Sequence, residues 1–168
     1  DDDSKALHNF KHNFPGVTTS AAKIDTTSFK PIGMVQKIMD KYSGSTFHHN
    51  YSPPGADMSS VRRATLDEGI RTLIWSVQHP ITLGYDSWTV ETIVSPVTRA
   101  VLDTLVNDYS AERLAYTQID AADFGTPQSR KRFVVGPPEI INRLISQPHV
   151  GRVSVRAAFA KQGIEVPA

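Results

Sequence analysis

Gly125-Thr126-Pro127-Gln128-Ser129-Arg130-Lys131-Arg132-Phe133-Val134-Val135-Gly136 is the stretch whose reading decides the fold. Gly125-Thr126-Pro127 makes a turn, because glycine tolerates positive φ and proline fixes its own. Phe133 to Val135 is the short strand it leads into. Arg130 and Arg132 lie two apart, so an extended backbone points both to one face and Lys131 to the other. Leu114 to Asp120, just before the turn, has the composition of a second strand. The two neighbours are expected to form an antiparallel pair at the edge of a sheet.

Upstream of this pair, strands and helices alternate. Ser87 to Ile93 is β-branched and aromatic, hence a strand. Ser95-Pro96 then opens a helix with the stripe Val97, Val101, Leu102 and Leu105. A longer helix is expected from Val61 to Gln78, with Leu66, Ile70, Leu73, Ile74 and Val77 on one side and Pro80 closing it. Thr46 to Tyr51 and Ala21 to Asp25 read as strands, and Pro31 to Tyr42 and Asp3 to Asn13 as helices. Glu139 to Ile145 is a short helix before Pro148. Such alternation specifies an α/β sheet with right-handed crossovers. Ligands of such sheets sit beyond the carboxyl ends of strands, which points to Asp25, to Ser52–Ser59 and to Glu91.

The chain has 168 residues, 39% hydrophobic and 21% charged, with net charge +1. That suits one soluble domain and argues against a strongly basic nucleic-acid coat protein. No apolar run approaches the roughly 18 residues of a membrane span, so no membrane insertion is expected. Cysteine is absent. Disulfides, Cys-based zinc sites and thiolate nucleophiles are excluded together, and a disulfide-free, intracellular setting is expected. His8 and His12 are spaced i,i+4, and His48 and His49 are adjacent. Neither pair has a visible third ligand, so no metal site is expected.

The turn and strand at 125–136 resemble the Gly-x-Pro-Gln-x-Arg-x-Arg signature of the cytosine-C5 DNA methyltransferases. Other segments follow in that family's order. Ser52-Pro53-Pro54-Gly55-Ala56-Asp57-Met58-Ser59 resembles its Ser-Pro-Pro-Cys-Gln-x-Phe-Ser loop, and Glu91-Thr92-Ile93 its Glu-Asn-Val. Asp1, Asp3 and Asn13-Phe14-Pro15 are similar to the stretch after its second strand, and Asp25 to the acid of the next motif. Val153 to Ala158 resembles the segment before its target-recognition region.

The resemblance implies a Rossmann-like class I methyltransferase core that depends on S-adenosylmethionine (AdoMet) and is truncated at both ends. Residues 1–168 would be a single, partial catalytic domain, without the Gly-rich AdoMet motif and the recognition region. In the family a thiolate adds to C6 of a flipped cytosine, a glutamate holds N3 and the amino group, and C5 takes the methyl group. The implied site residues are Gly55 at the nucleophile's position, Glu91, Arg130 and Arg132, with Asp1 and Asp25 on the cofactor. Glu91 also reads as a strand-end acid that caps the following helix, and Asp1 and Asp3 as first-turn acids of theirs.

Gly55 stands where the nucleophile belongs, Ala56 replaces the Gln, Met58 the Phe, and Thr92 the Asn. The expected reading is a pseudoenzyme kept as a structural or binding subunit. AdoMet and DNA or tRNA are its ancestral cofactor and partners, with AdoMet not bound by this chain. Another protein chain is expected over the open sheet edge. The alternative is a catalytic-domain piece of an active enzyme whose nucleophile is mutated or supplied by another chain.

Overall fold

The computed structural model describes residues 4–17, 25–30, 32–53, 66–110 and 113–163. The chain divides into two compact units, Asp1–Ser43 and Gly44–Ala168.

The first unit holds α1 (Ser4–Asn13) and α2 (Gly33–Lys41). The Phe10 and Phe14 rings meet at 4.9 Å, tilted by 39°, at the end of α1, the i,i+4 spacing that brings helix side chains together. Ile32 is extended, with ψ 117, so α2 starts at Gly33 rather than at Pro31. Ile32, Val35, Ile38 and Met39 recur at helical spacing, yet no residue of α2 is buried. Of the Ala21–Asp25 strand, residues 21–24 lie outside the described residues. Asp25 sits in a turn closed by Ser28 N donating to its carbonyl at 3.3 Å.

The second unit is an α/β layer. Its elements are β1 (His49–Tyr51), α3 (Leu66–Thr82), β2 (Trp88–Ile93), α4 (Pro96–Tyr109), β3 (Ala115–Asp120), a 3-10 turn (Ala121–Phe124), β4 (Lys131–Gly136), α5 (Pro138–Ile145) and α6 (Val155–Lys161). The sheet order is β1-β2-β4-β3. β1 runs parallel to β2, and β4 is antiparallel to both its neighbours. The pair β3–β4 does end the sheet as expected, but the antiparallel strand is interior and β3 is the edge.

Period-two alternation on β2 buries Trp88, Val90 and Thr92 and turns Thr89, Glu91 and Ile93 to the other face. The buried face packs under α3 and α4. Leu73 and Val77, Leu102 and Leu105, and Phe133 and Val135 close this core with Leu114. Trp75 is buried as well. α4 begins where the sequence signals it: Ser95 Oγ accepts from Thr98 N at 3.0 Å, and Pro96 takes the first turn. Serine rather than Glu91 therefore caps this helix.

α3 departs from expectation at its end. Pro80 does not close it; the helix continues to Thr82 with Pro80 inside. Proline costs a helix most in its interior, and here it falls in the last turn with its ring buried. The expected start at Val61 cannot be compared, because residues 61–65 lie outside the described residues.

On the opposite face, α5 lies against β3 and β4. Gly136 is the point of closest approach: a Cβ there would lie 2.8 Å from the Trp88 carbonyl oxygen and 3.8 Å from Ile141 Cδ1. Glycine lets β4 sit tight against β2 at this corner. No helix among the described residues is long and apolar enough to cross a membrane.

Candidate functional site

β1 ends at Tyr51, and Ser52-Pro53 continues it, with Pro53 buried and Ser52 exposed. Glu91 stands on β2 opposite Val134 of β4, and Ile93 stands opposite Arg132. Glu91 and Arg132 are thus diagonal neighbours on one face, within reach of long side chains.

The side chains close that gap. Arg132 Nε lies 2.7 Å from Glu91 Oε1, and Arg130 Nη2 lies 3.5 Å from the same oxygen. Ser52 Oγ donates to Glu91 Oε2 at 3.1 Å. Three segments far apart in sequence therefore meet on one carboxylate. These are Ser52, Glu91, and the pair Arg130 and Arg132, the segments that carry the resemblance described above. The carboxylate is not deeply buried: Glu91 keeps 30% of its side chain exposed, Arg132 24% and Arg130 54%. The cluster is therefore reached by solvent on every partner.

Of the other expected site residues, Gly55 and Asp1 lie outside the described residues. Asp25 belongs to the first unit. Its Oδ1 accepts from Thr27 N at 2.9 Å and Thr27 Oγ1 at 2.6 Å. The hydroxyl first, then the amide, hold its carboxyl below the usual range. The Asp25 carboxylate is exposed and engaged by Thr27 of the same turn.

Asp120 is the last residue of β3, and it organises the turn that presents Arg130. Its Oδ1 accepts from Arg130 N at 2.8 Å and Ala122 N at 3.1 Å, and its Oδ2 from Ser129 Oγ at 2.6 Å. Arg152 Nη2 lies 3.5 Å from Oδ2, and its Nε lies 3.5 Å from Asp123 Oδ1. The Ser129 hydroxyl above all, with these amides and Arg152, keeps the Asp120 carboxyl low against the opposing effect of burial. Gly125 reverses the chain with φ 82, in the left-handed region where glycine is at no disadvantage. The signal for this role was an acid at the last strand position before a tight turn.

His48 lies just before β1 and His49 is its first residue, and the two rings meet different partners. His48 bonds Ser87 Oγ at 2.8 Å and Thr89 Oγ1 at 2.9 Å. His49 stacks on Tyr85 at 3.8 Å. On the same side Tyr51 Oη bonds His79 Nδ1 at 2.9 Å, and burial raises the Tyr51 hydroxyl pKa. Among the described residues, no group of three acids and histidines is placed to hold a metal ion.

No family model matches the chain, and no curated protein does. Solved structures do. The chain superposes on a DNA modification methyltransferase encoded within an E. coli prophage with a TM-score of 0.54, at 14% identity, over 95% of this chain and 46% of that one. Methyltransferase EhMeth of Entamoeba histolytica aligns with a TM-score of 0.44, at 16% identity, over 80% of this chain and 42% of the other. The chain spans less than half the length of either protein. The prophage enzyme shows that the α/β fold here is one that methyltransferases use.

Proposed function

We propose that this chain is a pseudoenzyme related to the cytosine-C5 methyltransferases, built on a class I core, which binds nucleic acid and does not itself transfer a methyl group. The observation that carries the proposal is the convergence of Ser52, Arg130 and Arg132 on Glu91. A structural ion pair needs one arginine. Two arginines and a hydroxyl, drawn from the segments that resemble the family's catalytic motifs, suit an inherited base pocket better. A guanidinium has five N–H donors, and Arg130 spends one on Glu91, so the exposed remainder suits phosphate.

Methyl transfer to cytosine C5 needs a nucleophile on C6, and the family's nucleophile is a thiolate. Gly55 occupies its position, and the 168 residues contain no cysteine. AdoMet is the ancestral donor, and DNA or tRNA the ancestral substrate. The intact Glu91–arginine arrangement favours one second reading, a catalytic piece whose nucleophile comes from another chain.

The test incubates the protein with radiolabelled AdoMet and DNA or tRNA, and in parallel measures oligonucleotide binding. Binding without label transfer is expected. Calorimetry should find AdoMet held no tighter than roughly 1 mM, about −4 kcal/mol. Label transfer above background that Glu91→Ala abolishes would overturn the proposal in favour of the second reading.

A further inference from the structure

We infer that Asp120 is a positioning residue of the Glu91 site and acts through Arg130. The inference rests on the reading above, that Arg130 meets nucleic acid. Arg132 is placed by the sheet itself, since it pairs with Ile93 on one side and Ile119 on the other. Arg130 lies outside the ladder. Its guanidinium is more than half exposed and touches Glu91 at 3.5 Å, too loosely to fix the residue.

What fixes Arg130 is its backbone. The chain from Ala121 to Arg130 is a loop tied at its neck. Ala121 N donates to the Arg130 carbonyl at 3.2 Å, and Arg130 N donates to Asp120 Oδ1 at 2.8 Å. Ser129 Oγ is held by the other oxygen of the same carboxylate. Both oxygens of a nearly buried acid are thus used to seat the two residues that precede β4. Arg152 and the carbonyl of Asp123, which accepts from Val150 N at 2.9 Å, brace the loop from behind. Without the carboxylate, Arg130 N and Ser129 Oγ lose their acceptors. The loop then swings about Gly125, and Arg130 leaves Glu91 while Arg132 stays.

The experiment compares Asp120→Ala, Asp120→Asn, Arg130→Ala and the Asp120→Ala/Arg130→Ala double variant in the full chain. The first readout is affinity for a labelled single-stranded oligonucleotide as a function of salt. Loss of one phosphate contact lowers the log–log salt slope by about 0.7. Arg130→Ala and Asp120→Ala should each lose this amount, and the double variant no more. Asp120→Asn keeps an amide oxygen for the Arg130 and Ala122 amides, so it should keep the wild-type slope. Additive losses, or an Asn variant that behaves as Ala does, overturn the inference.

The second readout is the NMR signals of the arginine side chains. In Asp120→Ala the Arg130 signal should move to the position of free arginine while that of Arg132 stays. An unmoved Arg130 signal overturns the inference. If Asp120→Ala does not fold, Ser129→Ala removes one bond of the set and should shift the Arg130 signal part of the way; no shift again overturns it. If the wild-type protein binds no oligonucleotide, the functional reading fails by itself, and the NMR result still decides the role of Asp120.

Discussion

A double-mutant cycle on Glu91 and Arg132 measures how open the site is. The two groups sit 2.7 Å apart, with 30% and 24% of their side chains exposed. Breaking a fully buried pair costs about 3–5 kcal/mol, while exposed pairs contribute about 0.2–1 kcal/mol. With water on both partners the coupling belongs near the upper end of the exposed range, about 1 kcal/mol. Glu91→Gln, Arg132→Met and their combination supply the cycle, read by urea unfolding. For a protein of this size, 1 kcal/mol corresponds to about 2–4 °C in Tm. The coupling should shrink in high salt, because an exposed pair is screened. The same cycle with Arg130→Met should give a coupling near zero, given its 3.5 Å contact and greater exposure. A salt-insensitive coupling of about 3 kcal/mol or more at Arg132 would refute the picture of an open cluster. Equal couplings for the two arginines would refute the distinction drawn between them.

Gly136→Ala should destabilise the protein by about 1–3 kcal/mol, because the new Cβ meets the Trp88 carbonyl at 2.8 Å and β4 must move; thermal unfolding checks it, and Gly16→Ala, with no atom within 4 Å, is the silent control. Thr92 carries a buried hydroxyl without a hydrogen-bond partner among the described residues. Thr92→Val should therefore leave stability unchanged or raise it by up to about 1 kcal/mol in denaturant titration, and a loss of that size would reveal a partner. Burial first, then the nearby His48 and His79, lower the His49 pKa from 6.5. The unfolded chain binds the proton more readily, so stability is complete above pH 6.5 and is lost as pH falls below it. His49→Phe, which keeps a ring on Tyr85, should show a shallower fall in Tm between about pH 7.5 and about pH 5.5.

Local chemistry made some of this legible and not the rest. α4 could be read from Ser95-Pro96 because capping is decided within four residues. Composition marks only Phe133–Val135 of β4 as strand, because Lys131 and Arg132 lack apolar or β-branched side chains. Its ladder to β2 and β3 extends it from Lys131 to Gly136. No local pattern states that β4 enters between β2 and β3, because that pairing is decided by packing across the sheet. The meeting of Glu91 with the arginines was legible only through the resemblance, which implies all three residues in one site; alternation by itself put Arg130 and Arg132 on one face. The role of Asp120 was not, because its partners are backbone amides, which every residue has. The stripe of α2 was legible as apolar, but spacing says nothing of what lies against it.

The interior position of β4 has a consequence for how the chain is made. Synthesis delivers β1 and β2 first, and those two can pair at once. β3 follows and finds no neighbour until β4 leaves the ribosome behind it. The two then zip locally as a hairpin, and the hairpin's landing on β2 joins parts of the chain as distant as Glu91 and Val134. Until that landing, one edge of β2 stays open, a form prone to mispairing or capture by a chaperone. The same landing brings Arg130 and Arg132 to Glu91, so a nascent chain acquires its four-stranded sheet and its charged cluster in one event.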